Sequence, residues 1–287
     1  MLYNRDMHAY TMSFVGGGHM ASALIGGLIE AGVSPDRVRV VDPSDERREV
    51  LHAQWGIDTQ GAFDDQAANV DVVILAVKPQ VMPKVLAEIS PHLTKDQSPM
   101  VISVAGGISL DTIEASLGPR PVIRTMPNTP ALVGAGITAL IGNGALEDQH
   151  RQWADDLMGR VGECVWLDQE AQMDLVTAIS GSGPAYFFAL TEQLVASAIK
   201  HGLSPELATQ LAHQTAHGAG QMLKKQDVAA AVLRERVTSP GGTTEAALHV
   251  FNGHGFAEMV DQAVEAAQSR SQALGAQNAL GPSKESN

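Results

Sequence analysis

The sequence predicts an α/β domain built on a doubly wound parallel sheet, followed by an all-α domain. Two observations predict this order. In the first part of the chain, short apolar runs alternate with amphipathic stretches, which is typical of successive β-α-β units. After about Asp168 the strand pattern stops and only amphipathic helical stretches follow. With 287 residues, 44% of them hydrophobic and 18% charged, the chain is long enough to bury cores in two modest domains.

The clearest strand signal of the α/β part is the run VDVVILAV at 70–77, because a near-continuous β-branched segment is typical of a central parallel strand. A strand at 12–15 leads through a glycine turn into a helix at about 19–30, whose apolar residues share one face. Further strands are predicted at 37–41, 100–104 and 121–124 and near Ile137 and Cys164, and further helices at 44–54 (with Ser44 as N-cap), 81–89 and 110–116.

The all-α part is divided by short Pro and Gly punctuation. We therefore predict a first domain at 12–168 and a second at 169–274. Residues 1–11 lack the apolar core of a signal peptide, so we expect a loose leader, and the polar segment 275–287 is expected to be disordered. The helices of the second domain are predicted at 185–200, 205–223, 228–235, 243–251 and 256–273.

The amino-acid composition argues against several kinds of partner and site. The 19 basic and 32 acidic residues give a net charge of −13, which argues against nucleic acid and anionic membranes as partners. The single cysteine, Cys164, excludes an intrachain disulfide and a thiolate metal cluster and fits a reducing, cytoplasmic compartment. No apolar run reaches the ~18 residues of a membrane span. His213 and His217 could share a helix face, but no third ligand follows at the usual spacing, so no metal site is predicted.

The glycine turn after the first strand carries the first functional signal. Gly16-Gly17-Gly18-His19-Met20-Ala21 fits the pattern G-x-G-x-x-A. In this pattern the first glycine allows a tight turn, the second lets the backbone approach a pyrophosphate, and the small last residue lets the helix pack against the strand. The helix start then offers free N–H groups to an anion. The turn therefore predicts a Rossmann-type dinucleotide site.

The end of the second strand leaves the choice of dinucleotide open. Asp42 could hydrogen-bond a ribose 2′-hydroxyl and favour NAD, or it could serve as a helix-capping acid. Ser44 and the arginines Arg47 and Arg48 could instead hold a 2′-phosphate and favour NADP. We expect NADPH, with NADH as the alternative.

Four further motifs, together with the glycine turn, resemble the Δ1-pyrroline-5-carboxylate reductase family when taken in this order. The resemblance covers residues 12–274, nearly the whole chain. The motifs are AVKPQ at Ala76–Gln80, MPNTP at Met126–Pro130, SGSGPAY at Ser180–Tyr186 and SPGGTT at Ser239–Thr244.

This resemblance implies NAD(P)H-dependent reduction of a cyclic imine to L-proline, the last step of proline biosynthesis. It implies a homodimer formed through the helical domain, with sites completed across the dimer, and in some members a decamer of five dimers. The implied cofactor residues are Gly16, Gly18, His19 and Met20 at the pyrophosphate, Ala76, Val77, Lys78 and Pro79 under the riboses, and Ala105 and Gly106 at the nicotinamide. The implied substrate residues are Ser239, Gly241, Gly242, Thr243 and Thr244. His19 replaces the asparagine usual in the family's turn.

The residues themselves explain why SPGGTT suits the substrate. Its glycines expose backbone N–H groups just before a predicted helix, which favours a carboxylate, although an ordinary helix cap has the same pattern. Hydride transfer to a C=N bond needs the substrate oriented and its nitrogen protonated or hydrogen-bonded. Thr244 could donate to that nitrogen or relay a proton from water, so we predict it as the catalytic residue with a positioning role.

Three further positions carry weaker hypotheses. Asn128 follows a strand at the carboxyl edge of the sheet, where ligands bind, but its loop could simply be rigid and Pro-bracketed. Ser182 lies among small residues that would let substrate, cofactor or a partner subunit approach, although a flexible interdomain turn has the same composition. Lys78 could place a charge near the cofactor phosphates or remain solvated.

Three alternative functions stay open. The β-hydroxyacid dehydrogenases share the two-domain plan but need a lysine soon after the second glycine-rich turn, and here none occurs between Ser180 and Lys200. A noncatalytic dinucleotide-binding sensor predicts a degraded pocket in the second domain, which the intact SPGGTT motif opposes. A reductase of a related cyclic imine would keep every motif.

Overall fold

The computed structural model describes residues 10–93 and 98–279, without the side chain of Ala279. These residues divide into two compact units. The first runs to Gly181 and resumes at Ala267, and the second comprises Ser182–Ala266. The sheet therefore ends near the predicted domain boundary at 168, whereas the first unit continues beyond it.

The first unit is organised around an eight-stranded sheet with the order β3-β2-β1-β4-β5-β6-β7-β8. The six strands from β3 to β6 are parallel, β7 is antiparallel to β6, and β8 is parallel to β7. This order reverses between β1 and β4, which places the ligand crevice of a Rossmann sheet at their carboxyl ends. The strands are β1 Met12–Val15, β2 Val38–Val41, β3 Asp58–Gln60, β4 Val72–Leu75, β5 Met100–Ser103, β6 Val122–Met126, β7 Gly136–Gly142 and β8 Gly162–Trp166.

Helices on both faces of the sheet bury two apolar cores. One core contains Phe14 and Ile74 with Leu24, and the other contains Val73 and Leu75. Alternate residues of the same central strand thus point to opposite faces, as a doubly covered parallel sheet requires. The helices are α1 His19–Glu30, α2 Asp45–Trp55, α3 Asp65–Ala68, α4 Met82–Ile89, α5 Leu110–Leu117, α6 Asp148–Gly159 and α7 Met173–Val176.

The second unit is helical and buries little within one chain. Among Ser182–Ala266, all of which the structure describes, the buried apolar side chains are Ala208, Ala212 and Leu233. Large apolar side chains lie on its surface instead, with Phe187 and Phe188 each about two-thirds exposed, at 66% and 67%. Such a surface is typical of a subunit interface. The helices are α8 Gly183–Lys200, α9 Pro205–Lys225, α10 Ala230–Arg236, α11 Thr243–Gly253 and α12 Phe256–Ala279.

The predicted strands and helices are confirmed with small shifts of their ends, and one expectation is wrong. Helix α12 continues to Ala279, so the predicted disordered tail does not begin at Gly275. The last part of α12, from Ala267 on, belongs to the first unit and is held there by tertiary contacts. The parts of the predicted tails at 1–9 and 280–287 lie outside the described residues.

Candidate active site

The glycine turn lies between the ends of β1, β2 and β4. Gly16 has a φ of +99°, and a Cβ there would lie 2.7 Å from the carbonyl oxygen of Ala76. Its N–H donates to the carbonyl of Val41 at 2.8 Å, and the N–H of Ala76 donates to the carbonyl of Val15 at 2.8 Å. Only glycine fits this position, because both the backbone conformation and the space exclude a side chain.

Gly18, unlike Gly16, lies beside open space that a ligand could fill. Gly18 is the N-cap of α1, has an ordinary φ of −69° and no capping side chain, and a Cβ there would meet nothing within 4 Å. The N–H groups of His19 and Met20 have no acceptor inside the helix, as at any helix start. Fully buried Ala21 lets α1 approach the sheet. Open space before unpaired N–H groups fits a pyrophosphate.

Asp42, at the end of β2, is turned towards the glycine turn. Its Oδ2 accepts from the N–H of Gly17 at 2.8 Å and its Oδ1 from the N–H of Ser44 at 2.9 Å. Ser44 is exposed and caps α2, where its Oγ accepts from the N–H of Arg47 at 3.3 Å. The carboxylate therefore stabilises the turn, while the hydroxyl and helix start at Ser44 face solvent.

The segment after β4 lies against the glycine turn. Ala76 and Val77 are half-buried, and a Cβ on Gly16 would come within 2.9 Å of Val77 Cγ1. Lys78 is exposed, and Pro79 begins a short 3-10 turn. The structure thus brings these predicted residues together with Gly16 at one edge of the crevice.

The β5–α5 loop (residues 104–109) lies at the neighbouring strand end. Ala105 is buried at 3% exposure, and its N–H donates to Ser103 Oγ at 3.3 Å. Gly106 is half-buried and is followed by Gly107, which has a φ of +73°. This loop contains the two residues that were expected to lie at the nicotinamide.

Two contacts, one to this loop and one to the first residue of α5 just after it, come from residues that sequence reasoning missed. Glu170 Oε1 accepts from the N–H of Leu110 at 2.9 Å, and Asn278 Nδ2 donates to the carbonyl of Gly107 at 3.3 Å. Their partners lie 60 and 171 residues away along the chain, so no local pattern could have identified them.

The Asn128 side chain is engaged within the protein. Asn128 is only 8% exposed. Its Oδ1 accepts from the N–H of Ile137 at 3.0 Å, and its Nδ2 donates to the carbonyl of Ser180 at 3.1 Å. The amide therefore holds the MPNTP loop to β7 and to the π-helical turn Thr177–Gly181, and the expected contact of Asn128 with the cofactor stays a prediction.

The glycine-rich segment at the start of α8 also has a packing cause. A Cβ on Gly181 would lie 2.5 Å from Met126 Cε, so a side chain there would force the end of this methionine to move. In the second unit, Ser182 is half-buried and precedes the first turn of α8. Its predicted substrate contact stays a prediction.

The SPGGTT motif forms a turn that ends at the start of α11. Gly241 has a φ of +70°, and Gly242 is the N-cap of α11, without a capping side chain. The N–H of Gly242 donates to the carbonyl of Ser239 at 2.9 Å. Thr243 is exposed and Thr244 half-buried on the first helical turn, whose N–H groups can receive an anion.

Glu245 makes a hydrogen bond within this turn that sequence reasoning missed. Its Oε2 accepts from the N–H of Gly241 at 2.7 Å, so a carboxylate of the chain itself occupies one donor of the predicted carboxylate site. Beside the motif, Arg234, Thr238 and His249 line a cavity of about 340 Å³. The same cavity is also lined by Glu235 and Glu245, so acidic as well as basic side chains lie beside this turn.

The remaining candidates show ordinary structural roles. Cys164 is half-buried, and burial, aided by the charge of Asp155, raises the pKa of its thiol to about 11. The imidazole ring of His217 is hydrogen-bonded to the amide of Gln221 at 2.9 Å.

Within residues 10–93 and 98–279 there is no cluster of three His, Cys, Asp or Glu that could hold a metal. The same residues contain no helix long and apolar enough to span a membrane.

The Rossmann sheet with its glycine turn, joined to a helical unit rich in exposed apolar residues, defines a dinucleotide-dependent oxidoreductase. Two family models match. Residues 11–107 match "NADP oxidoreductase coenzyme F420-dependent", and residues 170–274 match "Pyrroline-5-carboxylate reductase dimerisation".

Similar proteins agree with the second match. A pyrroline-5-carboxylate reductase of Pseudomonas aeruginosa is 45% identical over 267 residues, covering 93% of this chain and 97% of the relative. One from Haemophilus influenzae is 40% identical over 265 residues, covering 92% and 97%. The solved structure of the Coxiella burnetii enzyme has a TM-score of 0.88 at 36% identity, covering 93% of this chain and 99% of that one. The Plasmodium falciparum enzyme with NADP bound has a TM-score of 0.82 at 31% identity, covering 94% and 99%.

The chain therefore belongs to the pyrroline-5-carboxylate reductase family. The predicted family, the fold class and the oxidoreductase class are confirmed, and residues 170–274 are a dimerisation domain.

Proposed function

We propose that the chain reduces L-1-pyrroline-5-carboxylate to L-proline with NAD(P)H, by hydride transfer to the imine carbon, as the last step of proline biosynthesis. The observation that carries this proposal is the SPGGTT turn, which offers backbone N–H groups at a helix start to a carboxylate. The bound dinucleotide supplies the hydride, so the task of the protein is to bind, orient and polarise.

The proposed dinucleotide site follows the crevice between the strand ends. The pyrophosphate would lie against the open face of Gly18, where no protein atom competes for the space. Asn128 also holds the adjoining loop through its two hydrogen bonds. The proposed binding residues are Gly16, Gly18, His19, Met20, Ser44, Ala76, Val77, Lys78, Pro79, Ala105, Gly106 and Asn128.

We propose NADPH as the preferred cofactor, with NADH as the alternative. Both carboxylate oxygens of Asp42 already accept hydrogen bonds from backbone N–H groups, so Asp42 is less available to a ribose hydroxyl. Ser44, at the exposed start of α2, and Arg47, three residues later, are instead suited to a 2′-phosphate. The NADP-bound Plasmodium relative agrees with this choice.

The proposed substrate site is assembled from the second unit. Ser239, Gly241, Gly242 and Thr243 would hold the substrate carboxylate, and Ser182 would complete the site. The hydroxyl of Thr244 would donate to the imine nitrogen, which makes the C=N carbon a better hydride acceptor. Because a threonine hydroxyl is a very weak acid, Thr244 would act by orientation and hydrogen bonding, with the proton coming from solvent.

Organisation and location follow the family. We propose residues 12–168 as the dinucleotide-binding domain and 169–274 as the substrate and dimerisation domain. The exposed apolar side chains of α8 support a homodimer, and a decamer of five dimers is the proposed higher assembly. The single cysteine supports a reducing, cytoplasmic location, and the net charge of −13 argues against nucleic acid and anionic membranes as partners.

The decisive experiment measures oxidation of NADPH and, separately, of NADH by the purified protein with pyrroline-5-carboxylate. Turnover on this imine, with none on hydroxy acids or keto acids, supports the proposal, and the ratio of kcat/KM values gives the cofactor preference. Cofactor binding without turnover on any imine would instead support a noncatalytic sensor. Turnover confined to a different cyclic imine would indicate a related reductase.

A further inference from the structure

The β5–α5 loop lies on the side of the crevice where the nicotinamide half of the cofactor would bind. In a Rossmann sheet the pyrophosphate lies at the end of β1 and the adenosine ribose meets the end of the adjacent strand, here β2. The other half of the dinucleotide therefore extends over the opposite neighbours, β4 and β5. The loop's central residues, Gly106 and Gly107, lack side chains, so their backbone has more freedom than any other pair would.

Hydrogen bonds restrain this loop near its ends and at its centre. Near its ends, Ala105 donates to Ser103 Oγ at 3.3 Å, and Leu110, the first residue of α5, donates to Glu170 Oε1 at 2.9 Å. At its centre, Asn278 Nδ2 donates to the carbonyl of Gly107 at 3.3 Å. Asn278 is thus the group that restrains the glycine pair itself.

The last turns of α12 are fitted closely to the loop. A Cβ on Gly107 would lie 3.2 Å from Asn278 Nδ2 and 3.6 Å from the backbone nitrogen of Gly275. The helix is anchored one to two turns earlier, where Ser271, only 7% exposed, donates through Oγ to Asp174 Oδ1 at 2.7 Å. Asn278 therefore approaches Gly107 from an element that is itself fixed.

We propose that Asn278 is a positioning residue for the nicotinamide half of the cofactor. By holding the carbonyl of Gly107, it keeps Ala105 and Gly106 in the conformation that receives the nicotinamide. The inference rests on the proposed cofactor role of this loop. It assigns a function in cofactor binding to the end of α12, a segment far from the dinucleotide motif in sequence.

The test compares the affinities of two ligands for single variants of the full chain. NADPH contains the nicotinamide, and 2′-phospho-ADP-ribose lacks only that group. Asn278→Ala should weaken NADPH binding about fivefold, the size expected for one neutral hydrogen bond, and leave 2′-phospho-ADP-ribose binding unchanged. Asn278→Asp, which keeps the shape but removes the donor, should weaken NADPH binding at least as much. Gln277→Ala, at an exposed neighbouring position, is the matched control and should change neither affinity.

Binding is measured by titration of nicotinamide fluorescence and by calorimetry, with the thermal unfolding midpoint recorded for every variant. The proposal would be overturned if a folded Asn278→Ala protein lost affinity equally for both ligands, or lost affinity for neither. Full affinity for NADPH in Asn278→Asp would also overturn it. If the unchanged protein bound NADPH but reduced no imine, the proposed function would fail while the positioning role could still be measured. If it bound no dinucleotide, both would fail.

Discussion

The carboxylate of Glu170 is shared between the guanidinium of Arg124 and the start of a helix. Its Oε1 accepts from Arg124 Nη1 at 2.7 Å and from the N–H of Leu110 at 2.9 Å. The Arg124 side chain is only 9% exposed and that of Glu170 28% exposed. A single side chain therefore neutralises a buried charge on β6 and satisfies a donor at the first turn of α5.

Removing this carboxylate should be costly, because the guanidinium of Arg124 would remain buried without its charged partner. We expect Glu170→Ala to lower the free energy of unfolding by about 3 kcal/mol. The matched control is Glu88→Ala, which removes an exposed pair with Lys84 at 3.6 Å and should cost about 0.5 kcal/mol or less. Denaturant unfolding of both variants checks this, and equal losses would contradict it.

The two signature glycines should respond differently to substitution. Gly18→Val should abolish dinucleotide binding with little loss of stability, because Gly18 has an ordinary φ and open space that only the ligand needs. Gly16→Ala should lower the unfolding temperature as well, because its φ is +99° and its Cβ would press on Ala76. NADPH titration together with thermal unfolding separates the two effects. Normal NADPH binding by Gly18→Val would refute the assignment of the turn.

Thr244→Ala should reduce kcat by about tenfold to a hundredfold, the size expected when one hydrogen bond to the developing charge at the imine nitrogen is lost. Cofactor affinity should fall only modestly, because the residue lies in the substrate motif. Thr244→Ser keeps the hydroxyl and should retain most of the activity. Steady-state kinetics of both variants test this prediction, and an unaffected kcat in Thr244→Ala would exclude the catalytic role.

Glu245 should oppose substrate binding, because its carboxylate occupies the N–H of Gly241 and repels a second anion. We expect Glu245→Gln, which keeps an acceptor but removes the charge, to lower the KM for the imine about threefold without changing kcat, an effect of the size of one exposed charge interaction. The difference should shrink at high ionic strength, where such interactions are screened. A raised KM would show instead that the charge orders the turn for the substrate.

Much of the fold was predictable because the central strands are apolar and the glycine turn has a strict pattern. The elements that were missed lack those signals. β3 is the short polar segment Asp58–Gln60 at the edge of the sheet, and α6 buries only Ala154, Leu157 and Met158 of its twelve residues. The helical end of α12 was missed for another reason, since the contact of Asn278 with Gly107 joins residues far apart in sequence.

The site was predictable where a ligand constrains the backbone, and less so where side chains support it. Gly16 and Gly18 belong to a motif whose geometry is general, so both could be located in advance. Asn128 is polar, follows a strand and looks like a ligand residue, yet its amide is taken up by two backbone groups. Glu170 acts on the backbone of another segment, which only tertiary structure reveals, whereas Glu245 accepts from Gly241 four residues earlier in the same turn.

Because the helical unit buries few apolar side chains within one chain, part of this protein's stability depends on the protein concentration. The first unit has two buried cores of its own, whereas the second exposes Phe187 and Phe188 and lies within the dimerisation domain. Each tenfold dilution should therefore reduce the stability of the assembled helical part by about 1.4 kcal/mol, while the Rossmann part is unaffected. The folding of the dimerisation domain is therefore expected to depend on how much of the protein is present, in a way that the folding of the Rossmann part does not.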